Sequence, residues 1–197
     1  MEHYEKNPDL PELIIVGIEQ GKDRSDELVP YLFAFDDGEK AGGKADKYLD
    51  FITKELKPYI DRKYRTFKSS KNTAIMGSSF GGVNSYYAAL KYSDFFSRIG
   101  CVSNAVLFDG FFQQLLKDTK ASTFKNIRKI YIDTGTNESD KIAHQKLYLK
   151  NNQLLFEVLE KKVPKENLRF EIIDGGKHHE TDWSKRFENI ILFLFDK

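Results

Sequence analysis

A serine set between glycines, Gly77-Ser78-Ser79-Phe80-Gly81, has the G-x-S-x-G spacing of a nucleophile turn. The chemistry needs that pattern for a steric reason. A sharp strand-to-helix turn pushes the serine hydroxyl out of the backbone, small flanking residues relieve the crowding, and a helix N-terminus favours developing negative charge. A serine alone is a poor nucleophile, so a base and an orienting acid must follow, in the chain order serine, acid, histidine. Two later stretches offer them. DTGTNESD supplies Asp133, Glu138 and Asp140, and DGGKHHETDW supplies His178 and His179. Asp133 is written into the end of an apolar run, so Glu138 and Asp140 are better placed to reach across to an imidazole. Taken singly, each group has a plainer reading: a glycine-rich turn, solvated loop acids, a surface or weakly metal-binding His pair. Taken together they specify acyl transfer.

The elements that must position these groups follow from periodicity. ELIIVGIE (12–19) reads as a first core strand, a continuous β-branched run of the kind buried on both faces. KADKYLDFITKELKPYI places Ala45, Tyr48, Leu49, Ile52 and Leu56 on one helical face, with Pro58 near the expected end. The strand at 73–77 follows, then a helix from Gly81, then RIGCVSNA, KIYIDTG (129–135), a helix around His144 to Glu160, LRFEIID (168–174) and a last helix carrying Trp183, Phe187, Ile191 and Leu194. Short apolar runs alternating with helical segments predict βαβ units: one α/β domain over residues 1–197, a three-layer sandwich with a mostly parallel sheet of about five strands. Ligands of such sheets bind beyond the carboxyl ends of the strands, which is where all three candidate loops fall.

Composition limits the alternatives. The 197 residues carry 31 Lys plus Arg against 30 Asp plus Glu, a net charge of +1, which provides no field for phosphate backbones or anionic lipid. Nucleic acid and membrane are therefore not expected partners. The lone Cys101 cannot form an internal disulfide and reads as packing. With no secretion-type start, the expectation is cytoplasmic. His144 reads as exposed on a Lys-rich helix, Arg24 with Glu27 as a loop-stabilising ion pair, and Tyr86 and Tyr87 as residues buried against the sheet.

Along nearly the whole chain, IIVGIEQGKDRSDELVPY, GGKADKYLDFITKELKPYIDRKYRT, IMGSSFGG, YIDTGTNES and GGKHHETDW resemble the α/β-hydrolase esterases of the esterase D and enterochelin-esterase-like group. The resemblance implies Ser79 as nucleophile. It selects His178 as base, through a family pattern of His, an acid two residues on and Trp five residues on (Glu180, Trp183), and Glu138 as orienting acid. It also implies two-step ester hydrolysis with no cofactor or metal, a small-molecule ester substrate, no large cap domain, and Phe80 N–H as an oxyanion donor. Phe108, Phe111 and Phe112 are candidates for an acyl pocket, with core packing as the competing reading.

Relatives carry a further strand between the IIVGI strand and the nucleophile strand, with a turn that supplies a second oxyanion donor; nothing in this sequence matches it. The loop Glu19-Gln20-Gly21, centred on Gln20, becomes the candidate second donor. Either residues 13–17 pair directly with residues 74–77, or a homodimer covers the exposed edge. The competing functional class is a degenerate hydrolase domain acting as a binding or assembly module.

Overall fold

The structure, a computed structural model, describes residues 12–196. Residues 1–11, with most of the stretch read for a secretion signal, lie outside them. A short helix α1 (Arg24–Leu28) leads to a two-stranded antiparallel hairpin, β1 (Phe33–Ala34) and β2 (Lys40–Ala41). Helix α2 (Ala45–Phe51) continues through a π-helical turn (Ile52–Leu56) into α3 (Lys57–Lys63). The sheet and its covering helices follow: β3 (Ala74–Ser78), α4 (Phe80–Lys91), β4 (Arg98–Val102), α5 (Asp109–Ala121), β5 (Lys129–Asn137), α6 (Ile142–Leu159), β6 (Leu168–Lys177), α7 (Glu180–Ser184) and α8 (Phe187–Phe195).

The main sheet is wholly parallel, in the order β3-β4-β5-β6. All five residues of β4 and the first seven of β5 are buried, as strands covered on both faces must be. One face carries most of the core, including Leu49, Val83, Tyr86, Ile99, Ile130 and Leu155. The other is covered by α8, which packs Ile190, Phe193 and Leu194 against Val102 and Tyr131. Helix α4 is buried along most of its length, and Tyr86 and Tyr87 anchor it by hydrogen bonds to Thr119 and Asp46. Cys101 lies in the middle of the sheet at 0% exposure, and its burial pushes the thiol pKa well up. No helix of the described residues is long and apolar enough to cross a membrane.

Two expectations need correction. The run at 12–19 is not a core strand, because among the described residues it pairs with no other strand, and Ile14, Ile15 and Val16 are 51%, 68% and 39% exposed. The parallel sheet therefore has four strands rather than about five, and no ladder joins residues 13–17 to residues 74–77. Periodicity could not reveal this, since a β-branched run is buried only where a neighbour supplies both a ladder and a covering face. The second correction is at Pro58. The helix does not stop there, because the π turn bonds Lys57 N–H to Ile52 C=O and leaves Pro58 in the first turn of α3, where a missing N–H costs nothing.

Because Ile15 faces water, Ile15→Asp should change unfolding free energy by less than about 0.5 kcal/mol in urea titrations. A loss of several kcal/mol would return this segment to the core.

Candidate active site

Four loops leave the carboxyl edge of the sheet side by side, and each delivers one polar group. After β3 the chain turns within one residue into α4, with Ser79 at φ 59° and ψ −126°. Such a conformation costs a non-glycine residue about 1–3 kcal/mol and persists only when its surroundings enforce it. Here Ser79 N–H donates to Val102 C=O at 2.9 Å, while Ser79 C=O accepts from Gly82 N–H at 3.0 Å and Ala105 N–H at 3.3 Å. Gly77 is required for the same turn: a Cβ there would lie 2.5 Å from the carbonyl of Gly81. Phe80 N–H opens α4 and so stands outside the intrahelical ladder.

Strands β5 and β6 run on past β4, and their ends bring the acid and imidazole loops together. Gly135 makes this approach possible, since a Cβ at that position would meet Gly176 C=O at 2.1 Å. Three residues on, Glu138 is 5% exposed. One of its oxygens accepts from Gly135 N–H, and the other lies 2.7 Å from His178 Nδ1. A carboxylate only accepts, so Nδ1 carries the proton and Nε2 is left as an acceptor. Burial works to raise the Glu138 pKa, but the hydrogen bonds from His178, Gly135 N–H and Ser103 outweigh it and hold the carboxyl below its ordinary value. The imidazole is fixed in turn by Trp183, whose ring meets it edge-on at 5.0 Å and 90°, and Tyr148 OH lies 3.5 Å from Nδ1.

A second network lies beneath this pair. Asp133 in β5 is 0% exposed and accepts from Arg186 Nε at 2.8 Å, Arg186 Nη2 at 3.1 Å, Tyr131 OH at 2.8 Å and Ser103 N–H at 2.6 Å. Burial pushes the Asp133 carboxyl upward against the pull of Arg186 and the Ser103 N–H. Ser103, at φ 44°, relays the contact upward, because its Oγ accepts from Trp183 Nε1 at 2.8 Å. Arg186 and Ser103 are not candidates from sequence, and Asp133 is one only as an acid ranked behind Glu138 and Asp140, not as the centre of this network. The available signal was an acid written inside the apolar run KIYIDTG.

The structure thus brings Glu138 and His178 together and sets Trp183 against them. Ser79 leaves the same edge of the sheet, with the β4 loop between it and the Glu138 loop, and shares no hydrogen bond with His178 among the described residues. Asp140 is exposed, and His179 turns outward to accept from Thr181 N–H at the start of α7. Gln20 is exposed, and no hydrogen bond ties it to the Ser79 turn; its neighbours Glu19 and Gly21 line a separate cleft of about 320 Å³ with Lys44, Tyr48 and Phe51. Phe111 and Phe112, at 0% and 1% exposure, belong to the core because α5 packs its apolar face inward, so neither lines an open pocket. Phe108 does, with Phe35, Asp36, Lys141 and His144, around a cleft of about 440 Å³. His144 is half-buried rather than exposed, 3.1 Å from Asp36 and edge-on to Phe108.

Comparison with known proteins gives the chain a family. The family described as "Putative esterase" matches residues 1–194. The chain belongs to that family. This esterase-family chain is 28% identical over 193 residues to protein YbbA of Bacillus subtilis (strain 168), covering 95% of itself and 75% of YbbA. In fold it is similar to an IroE-like serine hydrolase from Shewanella oneidensis, with a TM-score of 0.77, 22% identity and coverage of 95% of this chain and 61% of that one. It is also similar to the enterobactin esterase Fes of Shigella flexneri, with a TM-score of 0.74, 19% identity and coverage of 98% and 47%. The esterase-family chain therefore spans less than two thirds of either solved hydrolase, and these likenesses show its α/β-hydrolase fold.

Arg186→Met strands Asp133 as a buried, uncompensated charge. It should cost about 3–5 kcal/mol in urea unfolding, far more than losing a surface pair. Glu138 gives a pH test. Its folded pKa is lowered, so its contribution to stability is complete above the unfolded value near 4.5 and is lost as pH falls through the folded one. The stability gap between the wild type and Glu138→Gln should therefore hold steady at neutral pH and close only below about pH 4.5.

Proposed function

We propose that this chain is a serine esterase that hydrolyses a carboxylic ester through an acyl-enzyme on Ser79, with His178 as base and Glu138 as the orienting acid. The observation that carries the reading is the buried Glu138 carboxylate 2.7 Å from His178 Nδ1, on loops that leave the same carboxyl edge of the sheet as the strained Ser79 turn. That contact fixes the tautomer a general base requires: Nδ1 protonated, Nε2 free to accept.

In the acylation step His178 Nε2 takes the proton from Ser79 Oγ as the oxygen attacks the ester carbonyl. Glu138 stabilises the imidazolium that results, without itself taking the proton. The tetrahedral oxyanion meets Phe80 N–H at the positive end of α4. Collapse expels the alcohol, which receives the proton from His178 Nε2. Water then repeats the sequence on the acyl-enzyme, giving the carboxylic acid and free Ser79. Phe108, whose ring lies 6.2 Å from that of Phe80, offers an apolar wall for part of the substrate.

A fluorophosphonate probe followed by intact-mass measurement should label the protein once, at Ser79. Ser78→Ala should retain the label and Ser79→Ala should lose it. On 4-nitrophenyl acetate or butyrate, Ser79→Ala should lower kcat by about four to six orders of magnitude. His178→Ala should remove activity while His179→Ala keeps it, and Glu138→Gln should cost far more than Asp140→Asn. Labelling that survives Ser79→Ala would overturn the assignment.

A further inference from the structure

Arg24 opens α1, and its guanidinium has no ion pair and no hydrogen bond among the described residues, so the sequence reading of an Arg24–Glu27 pair does not hold. The two acids of α1 are committed elsewhere. Glu27 accepts from Gly21 N–H at 2.7 Å, and Asp26 pairs with Lys44 at 2.6 Å and accepts from Gly42 N–H at 2.9 Å. The guanidinium lies instead over the ring of Phe80, with Cζ 5.7 Å from the centroid. Phe80 immediately follows Ser79.

The guanidinium is also within electrostatic reach of Tyr148 and Glu180. Tyr148 OH stands 3.5 Å from His178 Nδ1, and Glu180 is two residues past that histidine. Arg24 thus touches the residue that follows Ser79 and lies within electrostatic reach of the His178 loop. Partial burial lowers its pKa, the direction expected of a cation taken out of water without a counter-charge. Glu180 compensates this only in part, because its side chain is 81% exposed and screened by water. A guanidinium laid on an aromatic face and otherwise unpartnered keeps its planar fork of donors free, and that fork matches a carboxylate bidentately.

We infer that Arg24 is a subsite for a carboxylate on the substrate, so that the esters this site prefers are anionic, carrying the charge close to the scissile bond. The inference rests on the esterase reading of the Ser79 cleft. The charge can belong to the acyl part or to the alcohol part, and matched substrate pairs separate the two.

For the acyl side the pair is mono-4-nitrophenyl glutarate against 4-nitrophenyl methyl glutarate; for the alcohol side it is 4-acetoxybenzoate against its methyl ester. The wild type should favour the anionic member of at least one pair in kcat/KM. Arg24→Gln should reduce that anionic-to-neutral ratio about 10- to 100-fold, with Arg24→Lys intermediate. Calorimetric binding of the same compounds to Ser79→Ala protein, with and without Arg24→Gln, reads the subsite without turnover. Tighter binding of the anion that depends on Arg24 supports the subsite even if the esterase reading fails. Neutral esters preferred in both pairs, or an anionic-to-neutral ratio that Arg24→Gln leaves unchanged in both measurements, would overturn it. Active neutral-ester hydrolysis with that result would leave the esterase reading standing.

Discussion

A single buried carboxylate, that of Asp133, organises the carboxyl edge of the sheet. A charge placed there without partners would cost several kcal/mol. The surrounding chain supplies four donors: two from Arg186, one from Tyr131 and one from the backbone of Ser103. Each belongs to a segment that must arrive in the right place. Arg186 lies on the stretch that follows the His178 loop, and Ser103 on the loop after β4 against which the Ser79 turn is pinned. The three loops of the site share one electrostatic anchor. The geometry of the Glu138–His178 pair is in this sense a consequence of what happens one layer below it.

Above the anchor, close backbone approach does the remaining positioning. Gly77 lets the chain reverse under Gly81, and Gly135 lets the acid loop lie on Gly176. Both contacts depend on missing side chains, so the site is built as much from absent atoms as from present ones. The Ser79 conformation is held by hydrogen bonds with the end of β4, with the loop after it and with α4 rather than by its own preference. Strain in the turn is offset by order in the rest of the edge.

The parts of this arrangement that are local in sequence were legible in it. The G-x-S-x-G turn, the alternation of strands and helices, and the placing of acid and imidazole after successive strands all follow from spacing. The roles of Asp133, Arg186 and Ser103 were not legible, because their contacts join residues 30 and 53 positions apart. Phe111 and Phe112 misled for the opposite reason. Their helical spacing was read correctly, but spacing cannot say whether an apolar face looks into a cleft or into a core. Residues 12–19 misled because a β-branched run states a preference for a ladder without showing that a neighbour exists. Arg24 and Glu27 have the spacing of a pair on one helix face, yet backbone donors claimed the glutamate first.

The burial of Cys101 gives this chain a built-in clock. It is the sole thiol in the sequence, it lies in the second strand of the sheet, and its pKa is pushed up by burial. A thiol reagent can reach it only when β4 separates from its neighbours or the covering helices lift away. The rate of its alkylation therefore counts openings of the sheet's centre, independent of any chemistry at the edge. Fraying of the outer loops, including those that carry Ser79 and His178, would pass unrecorded.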